Sequence, residues 1–501
     1  MRTPHTRSHR AWRLGVAAFT VGLVLAMGSV ALANVPVGVV SQDPYTDPNA
    51  YHATQVEADT FSNGNTIVGI FQSGRFSDGG ADNISWVVSQ NGGGAWHKGF
   101  FPGTTVFATP PGPFKRATDP AITFDAKHGT WMGVILASLA SFGFTGNAVL
   151  VSLSTDGAKT FGNPVTVKNS VGFQSFDSTW VNCDNTPTSP FYGNCYATWD
   201  DFGSGNILHV SRSSDGGLTW TDGTVPSGTI VIGAKAQPQP NGNVVIATDD
   251  GFTGSVQSFI STNGGASFTG PTTVATISRH TPAGGLRSLD VLGADVDSAG
   301  KIYDVWYDCR FRSGCTTNDI VMSTSTTGTT WTTPVRIPID DVTSTVDHFI
   351  PGIAVQPGTS GATAHLALTY YFYPNANCTS STCKLEYGFI ESTDGGVTWS
   401  APTTILGPFK LGWLPNTSSG FMLGDYTSSS FVGSNSFTVF AAARMGSQAT
   451  CAVGVLGSCN EFMAVNRNPL ATTGPFSRAG LDRPIAGAQG DRAAWGLKST
   501  Y

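Results

Sequence analysis

The chain has 501 residues, with 27 Lys and Arg against 33 Asp and Glu and a formal charge of −6. That balance excludes nucleic acid and anionic membrane surfaces as natural partners. Only 12% of the residues are charged, while Gly reaches 61 and Phe 30, the composition of a β-rich chain with many tight turns.

The first segment reads as an export signal. Arg2, Arg7, Arg10 and Arg13 precede an apolar stretch from Leu14 to Val30, and Ala31-Leu32-Ala33 offers a small-x-small cleavage site. Residues 1–33 are therefore expected to be a secretory signal peptide, with an uncleaved membrane anchor as the alternative. Loss of those four arginines leaves 23 basic against 33 acidic residues, a formal charge of −10. No later stretch is long and apolar enough to span a bilayer. A secreted, extracellular, monomeric protein without membrane insertion is expected.

Six segments then follow one S-x-D-x-G-x-T-W template: Ser89 to Trp96, Ser154 to Phe161, Ser213 to Trp220, Ser261 to Phe268, Thr324 to Trp331 and Ser392 to Trp399, with starts 48 to 68 residues apart. In each, the Asp or Asn caps turn amides, a Gly takes a positive φ and the aromatic is buried under the hairpin. Such a box makes a rigid turn and performs no chemistry. Around each box a strand A, a tight turn, an apolar strand B, a variable loop and a strand C recur. A seventh unit without a box runs from Gly424 to Val465, and Val35 to Val40 is expected to supply its outer strand. The fold class is all-β, a single β-propeller with Asp-box repeats, seven blades favoured and six the alternative. The propeller is expected over 34–467, and 468–501, with Pro469, Pro475 and Pro484, reads as an irregular tail.

The eight cysteines fall into close pairs, Cys183 with Cys195, Cys309 with Cys315, Cys378 with Cys383 and Cys451 with Cys459, which in an exported chain predicts four local disulfides. Antiparallel alternation puts the start of A and the end of B on one rim and the boxes on the other. The first rim gathers the chemistry. Glu57, Arg116, Asp119, Asp177, Trp180, Arg287, Asp347, His348, Asp425 and Tyr426 stand near A-starts. Arg75, Asp200, Asp201, Asp249, Asp250, Asp308, Arg310, Tyr370, Tyr371 and Arg444 stand near B-ends. Cys183/Cys195, Cys309/Cys315 and Cys378/Cys383 are expected to brace this rim. Several Arg facing Asp and Tyr around one axis point to an anionic or hydroxyl-rich ligand, although a propeller mouth is polar in any case.

With its repeated boxes, export signal and Arg-rich mouth, the chain resembles the bacterial sialidase (neuraminidase) superfamily from about Val35 to Arg467. The resemblance implies a glycoside hydrolase acting on terminal, acidic sugars of extracellular glycans. In that family an arginine triad grips the sugar carboxylate, an Asp is the acid/base, and a Tyr paired with a Glu is the nucleophile. Carried onto this sequence, it implies Tyr426 as nucleophile and Asp119 as acid; no Glu stands between Glu57 and Glu386, so the partner of the Tyr is Glu57 reaching across the ring or an Asp in its place. Arg116, Arg310 and Arg444 are the implied triad, Arg75 and Arg287 its substitutes, and Asp425 and His348 further substrate-binding groups. Arg336-Ile337-Pro338 follows a box, on the opposite rim.

Two other readings share the fold: a non-catalytic, glycan-binding propeller, and a polysaccharide lyase using a pair such as Tyr371 and His348. A carbohydrate is the expected partner and no cofactor is expected. A structural Ca²⁺ stays open, but Asp297-Ser298-Ala299-Gly300 reads as a turn because it lacks a terminal bidentate acid.

Overall fold

The computed structural model describes Met1, residues 35–251, 254–289 and 291–470, and the short strand Pro475–Phe476. The expected signal peptide (Met1 apart) and most of the expected tail lie outside the described residues. Within the unit Leu32–Tyr501 the described secondary structure is strands and five short 3₁₀ turns.

Seven antiparallel groups follow in chain order. The first comprises Gln55–Asn63, Thr66–Arg75, Ala81–Ser89 and His97–Phe100. The second comprises Arg116–Asp125, Thr130–Ser138, Ala148–Ser154 and Val165–Asn169. A single bridge, Ala81 to Ala117, joins these two. Four-stranded groups then begin at Phe176–Cys183, Ile232–Pro238, Gly293–Val296 and Asp347–Val355. The last group pairs Val439–Ala443 with Glu461–Asn466, and Val37–Val39 closes it from the N-terminal side. Its innermost piece is the hairpin Ser430–Val432 with Asn435–Phe437.

The innermost strands touch in one cycle, from Gln55–Asn63 through each later group to Ser430–Val432 and back. The sheets thus stand around an axis as the blades of a β-propeller. Between them lie close-packed apolar seams. Trp131, Trp199 and Trp306 are fully buried there.

The repeated turns share one hydrogen-bond set. In Ser392 to Trp399, Gly396 N–H donates to Ser392 Oγ (2.9 Å), Val397 and Thr398 N–H to Asp394 Oδ1 (3.0 and 2.8 Å), and Trp399 Nε1–H to Gly396 O (3.2 Å). The fifth turn is one residue shorter than its template. Ser325, not Thr324, holds the serine position, accepting from Gly328 N–H at 2.8 Å. Thr327 replaces the Asp and accepts from Thr330 N–H at 3.0 Å.

All four cysteine pairs are disulfide-bonded as spaced. One placement differs from expectation. Cys183 ends an inner strand and Cys195 starts the next, so their loop lies on the rim of the repeated turns. Cys309–Cys315, Cys378–Cys383 and Cys451–Cys459 each close a loop between a second and a third strand, on the opposite rim.

Burial raises the Asp394 carboxyl, but hydrogen bonds from Thr398, Ser392 and Val397 outweigh it and hold the pKa below its usual value; Asp156 and Asp215 behave alike. A depressed carboxyl contributes stability above the unfolded pKa, near 4, and loses it as pH falls through the folded value. Asp394→Ala should therefore lower unfolding free energy by about 1–2 kcal/mol at pH 7, and the difference from wild type should shrink below pH ~4. Urea titrations at both pH values check this.

Candidate functional site

Near its start, each of five inner strands breaks register with its neighbour at one residue of positive φ. These are Glu57 (56°), Asp119 (48°), Ser178 (53°), Gly233 (64°) and Ile350 (50°). A bulge inserts an extra residue and re-aims the side chains around it. For a residue other than Gly the left-handed region is strained, and it persists only where the surroundings impose it. Here the first three bulges bring Glu57, Asp119, Asp177 and Ser178 to one mouth.

The mouth holds two adjoining hollows. One is lined by Asp177, Trp180, Asp425, Tyr426 and Val291 among others, the second by Glu57, Arg75, Thr118 and Phe144; Asp119, Asp177 and Arg287 are common to both. One amide orients much of the second. Gln72 Nε2 donates to Glu57 Oε2 and to Thr118 Oγ1 (2.8 Å), while its Oε1 accepts from Arg75 Nη1 (2.8 Å). Thr118 Oγ1 itself donates to Asp119 Oδ1 at 2.8 Å. Asp119 Oδ2 in turn accepts from Ser178 N–H at 2.8 Å, and Asp177 Oδ1 accepts from the same N–H at 3.0 Å.

The far wall comes from the last group. Glu57 N–H donates to Leu423 O at 3.0 Å. A Cβ on Gly424 would stand 2.7 Å from Glu57 Cα, so only Gly lets this segment approach. Two residues on, Tyr426 is buried; its hydroxyl donates to Pro120 O (2.8 Å) and its ring meets Trp180 edge-on at 5.5 Å. Lys235 Nζ lies 3.7 Å from the Trp180 ring centroid, a cation–π contact.

Charge is crowded here. Burial, and then the Asp119 and Asp425 charges, push the Glu57 carboxyl well above its usual value against the pull of Arg75 and Arg287. Burial and the Asp119 charge raise Asp177 and Asp200 likewise. Burial lowers Lys235 to about 8, opposed by Asp59 and Asp304. Burial pushes the Tyr426 phenol far up, reinforced by Glu57 and Asp119. Arg287 is held fork to fork by Asp425, with Nε to Oδ1 at 2.8 Å. Arg75 differs. It is 3% exposed, and among the described residues its Nε has no acceptor and its guanidinium no carboxylate within 4.0 Å.

Of the residues singled out from sequence, the mouth gathers Glu57, Asp119, Asp177, Trp180, Tyr426, Asp425, Arg75 and Arg287. The three first-choice arginines do not converge. Arg116 is tied to Asp78 and donates to Gly79 O and Ser141 O, both at 2.7 Å, pinning the loop after Ser138. Arg310 forks onto Asp308 at 2.9 and 2.6 Å. Arg444 is exposed, its guanidinium 4.6 Å from the Phe462 ring centroid. His348 is buried against Tyr370 and Phe372 and its pKa is lowered to about 4 by burial. Tyr371 donates to Ala441 O at 2.8 Å in the core, so the Tyr371/His348 pair lines neither hollow.

Gln72, Thr118 and Lys235 were not singled out from sequence. A polar side chain within an apolar strand, as in Ile67-Val68-Gly69-Ile70-Phe71-Gln72, was their available signal. For metals, Asp319, Asp340 and His348 offer ligand atoms within 4.8 Å of one another. Arg312 and Arg336 already pair with both acids, which leaves little charge for a cation. Asp297 Oδ1 accepts from Ala299 and Lys301 N–H at 3.0 and 2.9 Å, capping its own turn.

No family model matches the chain, and no curated protein is similar to it in sequence. Among solved structures, several sialidases and trans-sialidases align with the chain at low identity. An intramolecular trans-sialidase from Ruminococcus gnavus, in complex with oseltamivir carboxylate, aligns at 11% identity over 68% of this chain and 92% of its own, with a TM-score of 0.46. A Trypanosoma rangeli sialidase in complex with the inhibitor DANA aligns at 11% identity over 69% and 58%, TM-score 0.46. A Dyadobacter fermentans protein of unknown function aligns at 15% identity over 72% and 99%, TM-score 0.46.

Replacing Gln72 by Leu strands Arg75 Nη1 and removes the donor to Glu57. The expected cost is about 2–3 kcal/mol, read as a lower melting temperature. Ser298→Ala, a change at an exposed turn, should stay within about 0.5 kcal/mol.

Proposed function

We propose that the chain is a secreted glycoside hydrolase of sialidase type that removes a terminal acidic sugar from extracellular glycans. The observation that carries this reading is Arg75, a buried guanidinium with an unused donor beside Arg287 and facing the hollow. Two guanidiniums that repel each other in a mouth whose Glu57, Asp177 and Asp200 are pushed toward their neutral forms leave positive charge incompletely answered. A ligand carboxylate supplies the missing anion.

The reaction follows from the groups around it. Asp119 gives a proton to the leaving oxygen as the glycosidic C–O bond breaks. Tyr426 Oη forms the new bond to the anomeric carbon, and ionised Glu57 takes the phenolic proton. Water then attacks that carbon, its proton returns to Asp119, the bond to Tyr426 breaks, and Glu57 hands the phenolic proton back. A phenol next to a bound carboxylate adds no charge repulsion as it approaches. Glu57 must be ionised, and its raised pKa moves the acidic limb of the pH profile above the ordinary carboxylate range, near 4; turnover rises as pH climbs through that value.

The non-catalytic reading has its own support, since the Tyr426 hydroxyl is engaged by Pro120 O and Arg287 by Asp425. Hydrolysis of a chromogenic sialoside separates the two. Tyr426→Phe should lower kcat by at least about 10³-fold with affinity nearly unchanged, and Arg75→Gln should raise KM by about 10-fold or more. A wild-type protein that binds the sugar and never turns it over would leave the binding module standing.

A further inference from the structure

Asp119 lies on one inner strand and Asp177 on the next. We infer that their carboxyls share a single proton and act together as the acid of the mouth, with Asp177 a further catalytic residue. Both side chains line both hollows, so each faces the space where a ligand would sit. Both accept from one donor, the Ser178 N–H. That amide is aimed by a residue at φ 53°, next to an Asp119 itself at φ 48°. Two strained positions on neighbouring strands thus hold two carboxyls to one N–H, an arrangement no packing need explains.

One N–H cannot neutralise two carboxylates, and like charges held this close do not both ionise. The groups facing the pair sharpen the point. Asp200 from the adjoining strand adds negative potential at Asp177, and Asp119 and Asp425 do so at Glu57 across the mouth, which Arg287 and Arg75 offset in part. Burial, the Asp119 charge and the Asp200 charge keep Asp177 protonated well above the usual carboxylate range.

In turnover the shared proton passes to the leaving oxygen as the C–O bond breaks, and the pair becomes a dianion beside Arg287. The dianion then takes a proton from the water that displaces Tyr426, which restores the pair. This rests on the proposed hydrolase reading for its role, although the shared proton itself does not.

Two measurements keep the claims apart. In ligand-free protein labelled with ¹³C-carboxyl aspartate, NMR titration should show one proton retained by the pair to at least about two pH units above an ordinary Asp. Asp119→Asn should bring the Asp177 signal down by a unit or more. In turnover, Asp177→Asn should move the alkaline limb of kcat to lower pH by at least about one unit, with KM changed less than about threefold. Asp177→Glu should recover part of the shift. Independent titration of both carboxyls near 4 would overturn the shared proton while leaving hydrolysis intact. A retained proton in a protein that hydrolyses nothing would uphold the pair and overturn the hydrolase reading. An unchanged alkaline limb in a folded, active Asp177→Asn enzyme would overturn its catalytic role.

Discussion

The mouth depends on a backbone constraint repeated on strands of the same kind. Inner strands of a propeller converge on the axis, and a regular strand alternates its side chains between its two faces. The bulges at Glu57, Asp119 and Ser178 break that alternation at the same height. Each costs strain of order 1–3 kcal/mol, held in place by the ladders on either side. What the strain secures is the placement of Glu57, Asp119 and Asp177 by strand backbone, against which the irregular segment carrying Asp425 and Tyr426 packs through Glu57 N–H and Leu423 O.

Electrostatics follow from that placement. Buried acids next to buried arginines do not all keep their ordinary charge: desolvation pushes Glu57, Asp177 and Asp200 toward neutrality, while the guanidiniums stay ionised. A mouth with many acids can in this way present positive potential to a ligand. Gln72 makes the arrangement specific, because its single amide uses both donors and its carbonyl to connect Arg75, Glu57 and Thr118.

Much of the fold could be read from residue types. The S-x-D-x-G-x-T-W segments announce hairpin turns because Asp, Gly and the aromatic each have one physical reason to be there, and the terminal strand Val37–Val39 was visible as an apolar run without a partner. The site was only half legible. Rim position follows from strand direction and brought out Glu57, Asp119, Asp177, Trp180, Arg75, Arg287, Asp425 and Tyr426. It did not reveal which arginines are spent on their neighbours: Arg116 and Arg310 look equivalent to Arg75 in sequence, yet Asp78 and Asp308 consume them. The Cys183–Cys195 loop was placed on the wrong rim because the pair spans a first-to-second-strand turn. The bulges themselves left a weak trace in Asp119-Pro120 and Ile350-Pro351, where Pro interrupts a central strand.

The central claim is that Arg75 holds a ligand carboxylate in this mouth. Isothermal titration of an acidic monosaccharide such as N-acetylneuraminic acid, against its methyl ester, tests it most directly. The account predicts saturable binding of the acid and at least about tenfold weaker binding of the ester, a distinction that Arg75→Gln should erase. Equal affinity for acid and ester in the wild-type protein would contradict it.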